Sequence, residues 1–187
     1  GTILKGFDIN GTRPTMDRVK ESLFAMIQND IYNKSCLDLF AGSGNLGIEA
    51  LSMQAKQVVF VDHNQTAITT IKENLSKVHE QAKVINLDYQ KALNYFYQNN
   101  ITFDIIFLDP PYQTDYIKKS IELIDKYNLL NKNGLLICES DTKEKLSGYK
   151  DVWRREVPSS ESPRIFCADI SETPEVSEYF VPAFPEL

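Results

Sequence analysis

The sequence predicts an α/β fold, doubly wound around a mostly parallel sheet, on three observations. Apolar runs recur at 35–40, 57–62, 83–88, 103–109 and 135–139, each with an acid at or near its carboxyl end. The runs are almost continuously hydrophobic, as strands covered on both faces are. Between them lie stretches of helical period at 45–54, 64–78, 89–98 and 115–127. Strand and helix in alternation make βαβ units, and those build a parallel sheet with helices on both sides.

The remaining elements lie at the two ends. Residues 1–12 show no clear period. Thr12-Arg13-Pro14-Thr15 then leads into an amphipathic helix over 17–28, with Val19, Leu23, Met26 and Ile27 on one face, Phe24 at its edge and Thr15 placed to cap it. After the fifth run, 152–157 and 164–170 read as two strands around a Pro/Ser-rich turn at 158–163. An antiparallel hairpin closing one sheet edge is the economical arrangement. Beyond Ser171 the chain is rich in Glu and Pro, the composition of a loosely docked or disordered tail. The expected organisation is one domain over 1–170, with the segment 1–30 lying over the site, and an acidic tail over 171–187.

Composition excludes several classes. Cys36, Cys138 and Cys167 are widely spaced and accompanied by two histidines, which suggests neither a disulfide framework nor a metal site. A reducing cytoplasm suits such a chain. No apolar stretch is long enough to span a bilayer, and the first residues lack a charged then apolar leader. The net charge of −6 opposes nucleic acid until its distribution is read. From Pro158 to Leu187 six acids face one base, Arg164, for a net of −5, which leaves −1 for residues 1–157. A nearly neutral body permits an RNA partner without arguing for one.

The run Asp38-Leu39-Phe40-Ala41-Gly42-Ser43-Gly44 joins a strand to a helix, and Gly42, Gly44 and Gly47 match the dinucleotide pattern GxGxxG. Asp62, at the end of the next strand, stands where an acid binds ribose hydroxyls. The bland reading is a tight turn made of glycines. Asp38 separates the ligands. A pyrophosphate site offers amides to an anion, and a carboxylate beside the loop would repel it. S-adenosylmethionine has no phosphate and carries a sulfonium and an ammonium. An Asp38-x-Phe40-x-Gly42-Ser43-Gly44 loop offers it a close backbone approach and a carboxylate for the ammonium. Asp62 then takes the ribose diol, His63 packs beside the adenine, and Asp88 with Tyr89 reaches its amine. For Asp88 a simple helix cap is an equal alternative.

The fourth run ends in Asp109-Pro110-Pro111-Tyr112. Two prolines stop a strand, which explains the pair but not the flanking acid and aromatic. An exocyclic amine on a base is a poor nucleophile, because its lone pair is delocalised into the ring. Asp109 can accept one N–H and the Pro110 carbonyl the other, which aims the lone pair at a methyl donor. Pro111 stiffens the loop, and Tyr112 can stack on an extruded base. Orientation would supply most of the rate.

Taken with Thr12–Thr15, Arg18-Val19-Lys20-Glu21-Ser22 and the two motifs above, the chain from about Thr12 to about Val157 resembles the RsmD family of bacterial 16S ribosomal RNA guanine-N2 methyltransferases. The resemblance implies a Rossmann-like class I methyltransferase fold, S-adenosylmethionine as donor and no metal. It implies one guanine of small-subunit RNA as target, presented as naked RNA or in a 30S assembly particle. It also implies that Arg13 and Thr15 fold over the site and that Arg13, Arg18 or Lys20 touch substrate; a solvated helix face is the alternative for these bases. Two departures stand out. The longer basic strand segment with which the family usually begins is largely missing ahead of Gly1, and 159–187 does not follow the family's Tyr/Thr-rich ending.

Other readings remain. An amino methyltransferase acting on DNA adenine or cytosine, or on a protein amide, would use a similar loop, although 187 residues leave no room for a target-recognition domain. An NAD-binding oxidoreductase is opposed by Asp38. A catalytically idle RNA-binding module is opposed by Asp109 and Tyr112. Methylation at a ring carbon needs a nucleophilic thiol, and Cys36 and Cys138 fall within strands. The expected state is a monomer.

Overall fold

The computed structural model of the chain describes residues 14–111, 115–140, 164–169 and 175–180. Its elements are α1 (Pro14–Ile31), β1 (Ser35–Asp38), α2 (Asn45–Ser52), β2 (Gln57–Asp62), α3 (Gln65–Lys77) and β3 (Lys83–Asn86). They continue with α4 (Tyr89–Gln98), β4 (Phe103–Leu108), α5 (Tyr116–Lys126), β5 (Leu130–Ser140), β6 (Arg164–Asp169) and β7 (Glu175–Phe180). The sheet order is β3-β2-β1-β4-β5-β6-β7. Every pairing is parallel except that of β6 with β7.

Alternation along the strands divides the core into two. Cys36, Val58, Phe60, Ile105, Phe107, Leu135 and Ile137 face α1, α2 and α3. Leu37, Val59, Val61, Ile106, Leu108, Leu136 and Cys138 face α4 and α5. Both faces are therefore apolar, which is why the strands read as unbroken runs. Phe60, Phe96, Phe103 and Phe107 are fully buried, each worth roughly 1.5–3 kcal/mol of transfer free energy. The strand order turns back at β1. From there β2 and β3 extend one way and β4 and β5 the other, so the crevice beyond the carboxyl ends of β1 and β4 is where ligands bind in such sheets.

The opposite end of the sheet is closed by an acid. Asp104 Oδ2 accepts the Ser35 amide at 2.9 Å, and Oδ1 accepts Asn131 Nδ2 at 2.9 Å, tying β1, β4 and β5 together.

Several expectations are corrected. The first helix begins at Pro14 rather than at 17, because proline suits the first helical position. Thr15 therefore lies inside the first turn and is not the cap. Phe24 is 3% exposed and Met26 45%, so the buried stripe is Leu23, Phe24, Ile27 and Ile31. β5 starts five residues early. Its pairing with β4 jumps from Phe103↔Leu130 to Ile105↔Leu135, and the excess residues bulge where Asn133 takes φ 59°.

The edge hairpin also differs. Residues 164–169 are a strand, but its neighbours are β5 on one side and β7 on the other. Both of its edges are filled; 152–157, expected as the other strand of the hairpin, lies outside the described residues. Part of the expected acidic tail, Glu175–Phe180, supplies the antiparallel strand instead.

Candidate active site

The acids expected at the strand ends converge on one rim. β1 pairs Asp38 with Phe60 of β2 and with Phe107 of β4, so Asp62 and Asp109 each lie two residues beyond their partner of Asp38.

Asp38 is the most constrained of them. It is 1% exposed. Its Oδ2 accepts the Gly47 amide at 3.0 Å, in the first turn of α2, where the helix dipole favours an anion. Its Oδ1 is buried without a hydrogen-bond partner. Burial pushes the carboxyl up to about 7; the charges of Asp109 and Asp62 add to that, and the Gly47 amide and the Lys20 charge oppose it. A buried acceptor without a donor fits a ligand that brings a cation.

The glycine turn depends on conformation and on close approach. Gly44 caps α2 at φ 84°, in the left-handed region where a side chain is strained. At Gly47 a Cβ would lie 2.3 Å from the Phe60 ring, so only glycine lets α2 sit this close to β2. Asp62 holds the turn from outside. Its Oδ2 accepts the Gly42 amide at 2.9 Å and its Oδ1 the Asn64 amide at 2.8 Å. Asp62 thus braces the loop besides standing where a ribose would come. These bonds also bear on the dinucleotide alternative. The Gly42 amide is given to Asp62, Gly47 to Asp38 and Gly44 to the Ala41 carbonyl. A pyrophosphate would find those donors already engaged.

A cleft opens from this rim, lined by Leu39, Phe40, Asp62, His63, Leu87, Asp88, Tyr89, Pro111 and Tyr116. It brings together five residues expected at a cofactor or substrate site (Phe40, Asp62, His63, Asp88 and Tyr89) with Pro111 of the proline turn. Phe40, Tyr89 and Tyr116 form an aromatic wall with ring centroids 5.2–5.9 Å apart. His63 is 73% exposed, 3.7 Å from Asp62 Oδ1. Asp88 caps α4 by accepting the Gln90 amide at 2.9 Å, the plain alternative of the sequence reading, while still lining the cleft. A larger hollow of about 740 Å³ lies at the carboxyl end of α3; it contains none of the rim acids.

Asp109 is half-buried, Pro110 buried and Pro111 exposed at the end of β4. Tyr112 and Arg13 lie outside the described residues, and Thr15 and Arg18 are placed only as positions on α1. Lys20 is half-buried and close enough to act on Asp38. Cys36 is buried, and burial pushes its thiol up to about 12, with Asp104 and Asp38 adding. Such a thiol is inert. Among the described residues no cluster could hold a metal ion, and no helix is long and apolar enough to cross a membrane.

Sequence reasoning missed two residues. Asn74 is wholly buried on α3 and donates from Nδ2 to the Ser43 carbonyl at 3.0 Å, fixing the glycine turn from behind. A polar residue within the apolar stripe Ile71, Leu75 was the available signal. Tyr116 completes the aromatic wall, and nothing in its local pattern marked it.

Comparison with known proteins agrees with this geometry. The sequence family described as conserved hypothetical protein 95 matches residues 1–157. The ribosomal RNA small subunit methyltransferase D of Haemophilus influenzae is 41% identical over 151 residues, covering 78% of this chain and 77% of that protein. A solved conserved hypothetical protein of Streptococcus pyogenes is 33% identical with a TM-score of 0.59, covering 65% of this chain and 76% of that one. The S-adenosylmethionine-dependent methyltransferase of Agrobacterium tumefaciens shares the fold at 18% identity and a TM-score of 0.64, covering 90% of this chain and 60% of that one. With a family match over 1–157 and identity of this extent, the chain belongs to the RsmD family of bacterial 16S ribosomal RNA methyltransferases.

Proposed function

We propose that the chain transfers a methyl group from S-adenosylmethionine to the exocyclic N2 amine of a guanine in small-subunit ribosomal RNA. Family membership supports the coarser statement, a ribosomal RNA methyltransferase that uses this donor. One observation carries the amine chemistry: the Asp109-Pro110-Pro111 turn continues β4 directly beside β1, the strand that bears Asp38, at the point where the sheet order reverses.

The cofactor supplies an electrophilic methyl on a sulfonium; the chain's own residues do the rest. Asp38 offers its open Oδ1 to the ammonium end. Asp62 lies where the ribose hydroxyls would come, and Phe40, Tyr89 and His63 frame the base. Asp109 and the Pro110 carbonyl hold the two protons of the target amine, so that its lone pair is turned towards the donor and not into the ring. The proline pair fixes that acceptor set before substrate arrives. Tyr112 stacks on the extruded guanine, and Arg13, Thr15, Arg18 and Lys20 lie on the segment that contacts RNA. The protein works in the cytoplasm as a monomer, on naked RNA or on an assembling 30S particle.

The test is transfer of labelled methyl to small-subunit RNA and to 30S particles from a strain lacking this gene, followed by nucleoside analysis. Label in N2-methylguanosine is the expected result. Label in methylated adenine or cytosine would retain the amine chemistry and discard the guanine.

A further inference from the structure

The glycine-loop end of the sheet contains a buried acid only partly answered by the residues around it. Asp38 Oδ1 has no hydrogen-bond partner, and Asn45 Oδ1, on the first residue of α2, is also buried without one. Two acceptors without donors at one helix start suit a group that brings several N–H bonds at once. The charged groups facing Asp38 come from three elements: Asp109 follows β4, Asp62 ends β2, and Lys20 projects from α1. From α2 comes only the Gly47 amide. Among the described residues, Lys20 is thus the one cation acting on Asp38. Its helix is anchored just beyond it by buried Leu23, Phe24 and Ile27.

We propose that the cofactor's ammonium docks on the open Asp38 Oδ1 with Asn45 as second acceptor, expelling a proton from Asp38 as it binds, and that Lys20 assists from α1 by favouring the ionised carboxyl. The inference rests on the cofactor reading given above. The balance is simple. The protonated fraction of Asp38 loses its O–H proton to solvent, Oδ1 gains an N–H from the incoming ammonium, and no other bond changes. Burial holds the carboxyl at about 7 in the free protein, so near neutrality a substantial fraction carries that proton.

The experiment is calorimetric titration of S-adenosylhomocysteine, which has the same ammonium, into the full chain at pH 6.5, 7 and 8.5. Buffers of different ionisation enthalpy report the protons released. The wild type is expected to release about half a proton per ligand at pH 7, and little at pH 8.5. Asp38→Asn removes that release. Lys20→Met enlarges it, because Asp38 loses its cation. The ratio of Lys20→Met to wild-type affinity should rise about sixfold from pH 6.5 to 8.5, for one unit of altered Asp38 pKa. Lys20→Arg should behave as wild type. Equal proton release in wild type and Asp38→Asn overturns the proposal, as does a Lys20→Met protein that matches wild type at every pH. Absence of binding to the wild type would overturn the cofactor reading itself, a result distinct from either.

Discussion

Two neighbouring strand ends carry this site, and they are stiffened by different means. Beyond β1 the chain turns on glycines, and its shape is imposed from outside: Asp62 holds the Gly42 amide, Asp38 the Gly47 amide, and Asn74 the Ser43 carbonyl. Beyond β4 the chain runs into two prolines, whose rings fix their own φ angles whatever else touches them. A turn held by partners can approach a ligand closely, but it fails when a distant partner is lost. A segment stiffened by its own rings depends less on distant partners, and its chemistry fails at its one acid. The difference predicts where each end is vulnerable.

The largest effect should come from the proline end. Asp109→Ala is expected to lower kcat at least about 100-fold with S-adenosylhomocysteine affinity nearly unchanged. Loss of ligand affinity in a folded variant would show that the two ends are not separable. At the glycine end, Asp62→Ala should weaken the ligand first and also destabilise the fold by about 2–3 kcal/mol, since two backbone amides lose a charged acceptor. Denaturant unfolding with and without ligand reads both, and unchanged stability would mean that Asp62 does not brace the loop.

Gly47→Ala comes next. Its Cβ would meet the Phe60 ring, and the overpacking should cost about 2 kcal/mol. Because α2 must then lift, the Gly47 amide should leave Asp38. A stable variant with normal ligand affinity would contradict that coupling. Asp88→Ala should have the smallest effect, about 1 kcal/mol for a lost helix cap. A tenfold or greater drop in ligand affinity, at that modest cost in stability, would instead restore Asp88 to the adenine role.

The legibility of these features in the sequence follows the same division. The rim acids were visible because each ends an apolar run, and the sheet because its strands are buried on both faces. Asn74 was obscured by being one polar residue on a helix whose partner lies 31 positions away. The start of β5 was obscured because Asn131-Lys132-Asn133-Gly134 has turn chemistry and forms a bulge inside the ladder. The pairing of β6 with β7 was missed because 152–157 and 164–170 looked like neighbours, whereas β6 continues the parallel sheet. Non-local pairing of this kind leaves no local period to read.

Asp104 is a carboxylate on the same strand as the Pro-Pro turn, yet it uses its oxygens on the Ser35 amide and the Asn131 side chain at the far end of the sheet. In hydrogen-exchange terms, the Ser35 amide should open only when β1, β4 and β5 part, which is close to global unfolding. The Gly42 amide, held by the half-buried Asp62, should exchange by a smaller local opening that a bound ligand suppresses. The protection factors of these two amides would then report separately whether a variant has loosened the sheet or only the mouth of the site.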